Sequence, residues 1–213
     1  MKTTITNHLN ERKQLLRRGL ENPQLLDDGL RWVVGLGAMI ETWHEVMKTP
    51  ASTIARDLRQ SGKGKGFHTM SAYDTFYVTE KVAKQAFEGN LAKGQREGCW
   101  EHVQPWSVTL KRIQHELQEF GFSKLRILDI LIDGTVKCLV SKKEDDLLND
   151  AGLGHALPTE FTSIFDRYDA VGIEPIALEW HDFDRTDMKD QLKKMAIKTK
   201  TTSFDDFIKE IAA

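Results

Sequence analysis

The stretch TVKCLVSKKEDDLLND, residues 135–150, decides the fold class, because its side-chain pattern changes halfway along. Residues 135–140, TVKCLV, are short, rich in β-branched and apolar side chains, and bounded by Asp133-Gly134 on one side and charge on the other. That pattern predicts a strand with a turn before it. Ser141 follows at once, with Glu144 three residues on. This S-x-x-E spacing is a capping box, in which the serine side chain meets a backbone N–H of the first helical turn and the glutamate reaches back to the cap. A helix is therefore expected from there to about Asp150, with Ala151-Gly152 ending it. Upstream, residues 125–132 are densely apolar and fit either a helix or a strand.

Working outward, the first part of the chain reads as helix. Leu15, Leu16 and Leu20 recur among basic residues between positions 10 and 20. Asn22-Pro23 is a start signal, because proline suits a first helical turn. From there Leu25, Leu26, Leu30, Trp32, Val33, Leu36, Ile40 and Trp43 keep helical intervals up to Met47. Thr49-Pro50 breaks the pattern, and a short helix follows over 51–58. Residues 75–78 suit a short strand, and Thr79-Glu80 opens a helix through about Phe87. Ser107 is a candidate cap for a helix along Val108, Ile113, Leu117 and Phe120, with Gly121 ending it. Residues 161–168 look helical, 173–178 strand-like, and 204–211 amphipathic and helical. The expectation is a helix-dominated α+β protein with a small central β-sheet or hairpin. Residues 1–60 would form a helical region and 61–213 an α+β region, together one compact domain.

Composition narrows the class. The 213 residues are 40% hydrophobic and 29% charged, which are globular values. No run approaches the ~18–20 apolar residues of a membrane span, and the first twenty residues lack the apolar core of a secretory signal. The two cysteines, Cys99 and Cys138, belong to no C-x-x-C pair, which suits a reducing, cytoplasmic setting and gives no structural zinc motif. A net charge of −2 means that any nucleic-acid contact must come from a local basic patch. Two such patches are the glycine loop SGKGKGF at 61–67, with Lys63 and Lys65, and KKMAIKTK at 193–200. The loop has no G-x-x-x-x-G-K-[ST] spacing, so it is a solvated basic loop or a phosphate contact, not a P-loop.

The most chemically suggestive segment is Trp100-Glu101-His102-Val103-Gln104-Pro105. A carboxylate beside a histidine on an extended segment, with a proline close behind, resembles the first strand of HNH (His-Me finger) nucleases, which typically reads Asp-His-Ile/Val-x-Pro. The resemblance covers residues 100–150 only. It implies a second strand at 135–140 and a ligand-bearing helix at 142–150, together a ββα-metal-like element. By the same resemblance His102 is the general base, Glu101 and Asp145 bind the metal, and Asn149, one turn after Asp145, assists. The chemistry explains these residue types: phosphodiester hydrolysis needs a base near neutral pKa for water. It also needs a hard cation, Mg²⁺ or Mn²⁺, on oxygen ligands to offset charge on the leaving oxygen. The partner so implied is nucleic acid, DNA ahead of RNA, in restriction or mobile-element defence, with Lys63, Lys65, Lys142 and Lys143 as phosphate contacts.

The same residues also fit plainer roles. Glu101-His102 suits a polar pair at a strand end, with the histidine bonded to backbone. The run Glu144-Asp145-Asp146 suits charge that favours a helix N-terminus. The five tryptophans (Trp32, Trp43, Trp100, Trp106 and Trp180) fit core or interface anchors better than base-stacking platforms. The cluster Glu179, His181, Asp182, Asp184 and Asp187 lacks EF-hand and H-E-x-x-H spacing and reads as a solvated acidic loop. A different class of function, a non-enzymatic regulatory or immunity-type factor that binds a partner protein, suits the near-neutral charge and the tryptophans.

Overall fold

Apolar residues three and four apart make the first part of the chain helical, and one buried stripe holds its helices together. The computed structural model describes residues 2–61, 75–88, 98–158, 163–179 and 203–205. Helix α1 spans Lys2–Glu21, α2 spans Asp28–Glu41 and continues into a π-helical turn at Thr42–Val46, and α3 spans Ala51–Ser61. The start signal at Asn22-Pro23 produces only a 3₁₀ turn, Pro23–Leu25. The true cap of α2 is Asp27, whose carboxylate accepts from Leu30 N at 2.8 Å and also pairs with Arg12 of α1. A cap carrying full charge, tied to the preceding helix, wins over the proline.

The remaining elements are β1 (Thr75–Thr79), α4 (Glu80–Phe87), β2 (Gly98–His102), α5 (Trp106–Glu119), α6 (Lys124–Thr135), β3 (Lys137–Ser141), α7 (Lys142–Asp150), α8 (Asp166–Asp169) and β4 (Pro175–Glu179). Leu16, Leu30, Val33, Ile40, Ile54 and Leu58 of the first three helices share one buried core with Leu110 and Ile113 of α5 and Leu128 and Leu131 of α6. Each such side chain, fully buried, stabilises the fold by roughly 1.5–3 kcal/mol. Trp32, Trp43 and Trp106 lie against this core, as anchors.

The four strands form one mixed sheet in the order β2-β3-β1-β4. β1 and β3 run parallel, while β2 on β3 and β4 on β1 are antiparallel. One sheet face packs Tyr77, Cys138 and Val140 against Leu148 of α7 and Ile164, Phe165 and Tyr168 around α8. The architecture is helix-dominated α+β, as expected.

The strand-to-helix junction forms as its sequence dictates. Ser141 Oγ accepts from Glu144 N at 3.3 Å, and Glu144 reaches back to Ser141 N at 2.8 Å, completing the capping box. Residues 125–132 resolve as helix, and α6 extends further than the Asp133-Gly134 pair suggests. Gly134 does not turn the chain. It lies in the last turn of α6, where a Cβ would stand 2.4 Å from Thr109 Oγ1 and 2.6 Å from its Cγ2, so the missing side chain lets α6 press against α5. Ser107 is likewise no cap: α5 begins at Trp106 after Pro105, and Ser107 Oγ donates to His155 O at 3.0 Å. Gly121 and Gly152 do terminate their helices, with φ of 74° and 71°. The loop at 61–67 past its first residue, most of the helix expected at 204–211, the stretch 193–200 and the side chains of the 179–187 cluster lie outside the described residues.

Candidate active site

Strand β2 forms the edge of the sheet beside β3, and β3 runs straight into α7, so the three elements make a ββα unit. Register decides where each candidate side chain points. Glu101 lies opposite Cys138, and His102 lies opposite Lys137. Cross-strand partners share a face, and Cys138 is buried in the core beneath α7 and α8. Glu101 therefore faces α7 and α8, while His102 faces the opposite side, toward the end of α6.

On the first face Glu101 Oε1 is paired with Arg167 of α8. The guanidinium is fully buried, and the Glu101 side chain is 22% exposed. Arg167 Nη1 also donates to Leu153 O at 2.7 Å and contacts Gly154 O at 3.5 Å, so one side chain ties β2 to the turn after α7. Burial pushes the Glu101 carboxyl above its ordinary value, Arg167 opposes this by charge and hydrogen bond, and the negative charge of Asp145 pushes it up further. His155, on the same turn, contributes a small opposing influence. Asp145 is 26% exposed and accepts from Lys142 Nζ at 3.1 Å; Lys142 also pairs with Asp146. Asn149 closes over Gly154, where a Cβ would meet its Oδ1 at 2.1 Å.

On the second face His102 Nδ1 lies 3.0 Å from Gly134 O. A carbonyl only accepts, so Nδ1 carries a proton in this bond. The expected site residues therefore fall into two groups: Glu101, Asp145 and Asn149 around α7, and His102 across the edge strand. Lys142 is engaged by carboxylates, Lys143 is exposed, and Lys63 and Lys65 lie outside the described residues.

The donor set sets limits on a metal. Among the described residues no group of three or more His, Cys, Asp or Glu side chains converges as a ligand cage, which leaves no zinc-type closed site there. Two carboxylates and an amide are hard oxygen donors, and Mg²⁺ or Mn²⁺ is commonly held by one or two carboxylates with water and substrate phosphate completing the shell. Arg167 on Oε1 fits the outer-shell hydrogen bond that orients a ligating carboxylate. Glu101 is engaged by Arg167, Asp145 by Lys142, and Asn149 lies against Gly154.

Arg167, His155 and Gly134 escaped sequence reasoning. Arg167 sits in the unremarkable string DRYD, Gly134 reads as a turn residue, and nothing in the local pattern signals their distant partners. No membrane-crossing helix occurs among the described residues. Comparison with protein-family models, curated proteins and solved structures finds no match for this chain.

Proposed function

We propose that the chain is a metal-dependent phosphodiesterase of HNH type that hydrolyses nucleic acid, DNA ahead of RNA, with His102 as general base. The observation that supports this best is the ββα unit of β2, β3 and α7 that carries Glu101, His102 and Asp145, with His102 Nδ1 bonded to the Gly134 carbonyl as the plainer reading also has it. That bond presets the tautomer a base requires, since Nε2 then accepts a proton. In the step so proposed, Nε2 takes a proton from water while the water oxygen bonds to phosphorus. The bond to the leaving oxygen breaks, and that oxygen takes a proton from solvent. Glu101 and Asp145, with Asn149 one turn on, would hold a Mg²⁺ or Mn²⁺ ion that, when bound, supplies positive charge against the departing oxygen. Arg167 keeps Glu101 in place, and the exposed Lys143 offers a phosphate contact. Function in restriction or mobile-element defence is compatible with this chemistry. The test is incubation of the purified protein with plasmid and with RNA, each with Mg²⁺ or Mn²⁺ and then with EDTA. Cleavage that EDTA abolishes is expected.

A second proposal, a non-enzymatic factor that binds a partner protein, draws on one observation. Val46 and Met47, adjacent in sequence at the end of the π-helical turn, are 75% and 64% exposed and so are accessible to a partner. Absence of cleavage with both ions and both substrates would favour this alternative.

A further inference from the structure

We propose that Gln104, Thr109, Arg112 and Asp133 form a clamp around Gly134 that positions the His102 imidazole, an inference that rests on His102 as the general base. Both ends of the His102–Gly134 hydrogen bond are tied down. On the histidine side, Val103 N donates to Val136 O at 2.9 Å, and Gln104 follows at once, fully buried. On the carbonyl side, Gly134 is seated on Thr109, with no room for a Cβ. Thr109 Oγ1 accepts from Gln104 Nε2 at 2.8 Å, so the residue packed against the Gly134 Cα is tied to the segment that follows the histidine. Arg112 Nη1 closes the circuit, donating to Gln104 Oε1 at 2.5 Å and to Asp133 Oδ2 at 2.9 Å. Asp133 immediately precedes Gly134, and its other oxygen lies 2.6 Å from Lys13 Nζ of α1.

Gln104, Thr109 and Asp133 are all buried. A buried polar network is costly unless its members are paired, and when paired it holds one geometry. This one joins Gln104, two residues after His102, to Asp133, the neighbour of Gly134; among the described residues Asp133 Oδ1 makes no hydrogen bond and has only its ion-pair contact with Lys13. Its members touch neither substrate nor reacting atoms; they are positioning residues. A displaced carbonyl would weaken the bond that holds a proton on Nδ1 and shift the ring from the position the proposed step uses.

The test reads the ring directly. Nitrogen-15 chemical shifts of the His102 imidazole report the tautomer in the wild type and in Gly134→Ala, Arg112→Met and Thr109→Ala, beside kcat, KM and thermal stability. In Gly134→Ala the new methyl must displace Thr109. The expected result is loss of the Nδ1–H tautomer and a fall in kcat of roughly ten- to a hundred-fold, the scale of a misplaced catalytic group, with KM little changed. Thr109→Ala, which takes away the acceptor of Gln104 Nε2 and leaves Gly134 as it is, should move the tautomer the same way. Arg112→Met, in which Asp133 keeps Lys13, should show the same direction and covers the case in which Gly134→Ala does not fold. A wild-type tautomer in Arg112→Met and in any folded Gly134→Ala, with only stability lowered, would overturn the clamp. A tautomer that responds in a protein without hydrolytic activity would uphold the clamp and defeat the proposed function.

Discussion

Replacing Arg167 by Met tests the connection between the strand and the turn after α7. The guanidinium is fully buried and pairs with Glu101, so its removal leaves a partly buried carboxylate without its cation and frees the carbonyls of Leu153 and Gly154. Breaking a buried pair from one side costs about 3–5 kcal/mol. For a chain of this size that corresponds to a Tm lower by about 6–20 °C, at ~2–4 °C per kcal/mol. The pH dependence has a definite sign. The Glu101 carboxyl is already raised by burial, with Arg167 opposing the rise; without Arg167 it rises further. A carboxyl whose folded pKa lies above its unfolded value contributes stability that is present below the unfolded value and lost as pH climbs through the folded one. The deficit of Arg167→Met relative to wild type should therefore be smallest at about pH 5 and largest at about pH 7.5. Urea unfolding followed by far-UV circular dichroism at the two pH values measures it. Glu101→Leu/Arg167→Met, which removes both charges, should recover much of the loss. An equal deficit at both pH values, or a double variant no better than the single one, would refute the reasoning.

Two further outcomes follow from buried groups. Glu144→Ala orphans two donors that its Oε2 now satisfies, Ser141 N and Thr79 Oγ1, each at 2.8 Å, and should cost about 1–3 kcal/mol by thermal unfolding; Glu144→Gln should cost less. Cys138 is a free thiol, fully buried, and burial pushes it well above its ordinary value, with Glu144 and Glu101 adding to the rise. In a Cys99→Ser background it should resist thiol reagents in the folded protein and react on unfolding; prompt labelling of the folded protein would count against its place in the core.

Local chemistry was legible in the sequence; long-range side-chain contacts were not. Ser141 and Glu144 announce a helix start because both halves of a capping box lie within four residues, and the structure contains it. Thr79 caps α4 for the same local reason, and β3 ends where that cap logic begins. Gly134 failed as a turn because the reason for its glycine sits on another helix, at Thr109. Asn22-Pro23 failed as the start of α2 because Asp27 gains a second partner, Arg12, from α1. At the candidate site, the strand-and-helix frame was foreseeable from the residues around Glu101 and Ser141. The split of Glu101 and His102 onto opposite faces follows from strand alternation. Which face received Arg167, and that Gly134 O would meet His102, depended on how α8 and α6 dock.

The most direct measurement for the general-base proposal is the single-turnover rate of nucleic-acid cleavage by wild type and by His102→Ala, at matched divalent-ion concentration. A general base contributes roughly 10²–10⁴-fold in rate. His102 is only partly buried, so its truncation should leave the Tm within a few degrees of wild type, the usual outcome away from the core. A loss of about 10²-fold or more in a folded variant is the predicted result. Cleavage at the wild-type rate in His102→Ala would contradict the assignment.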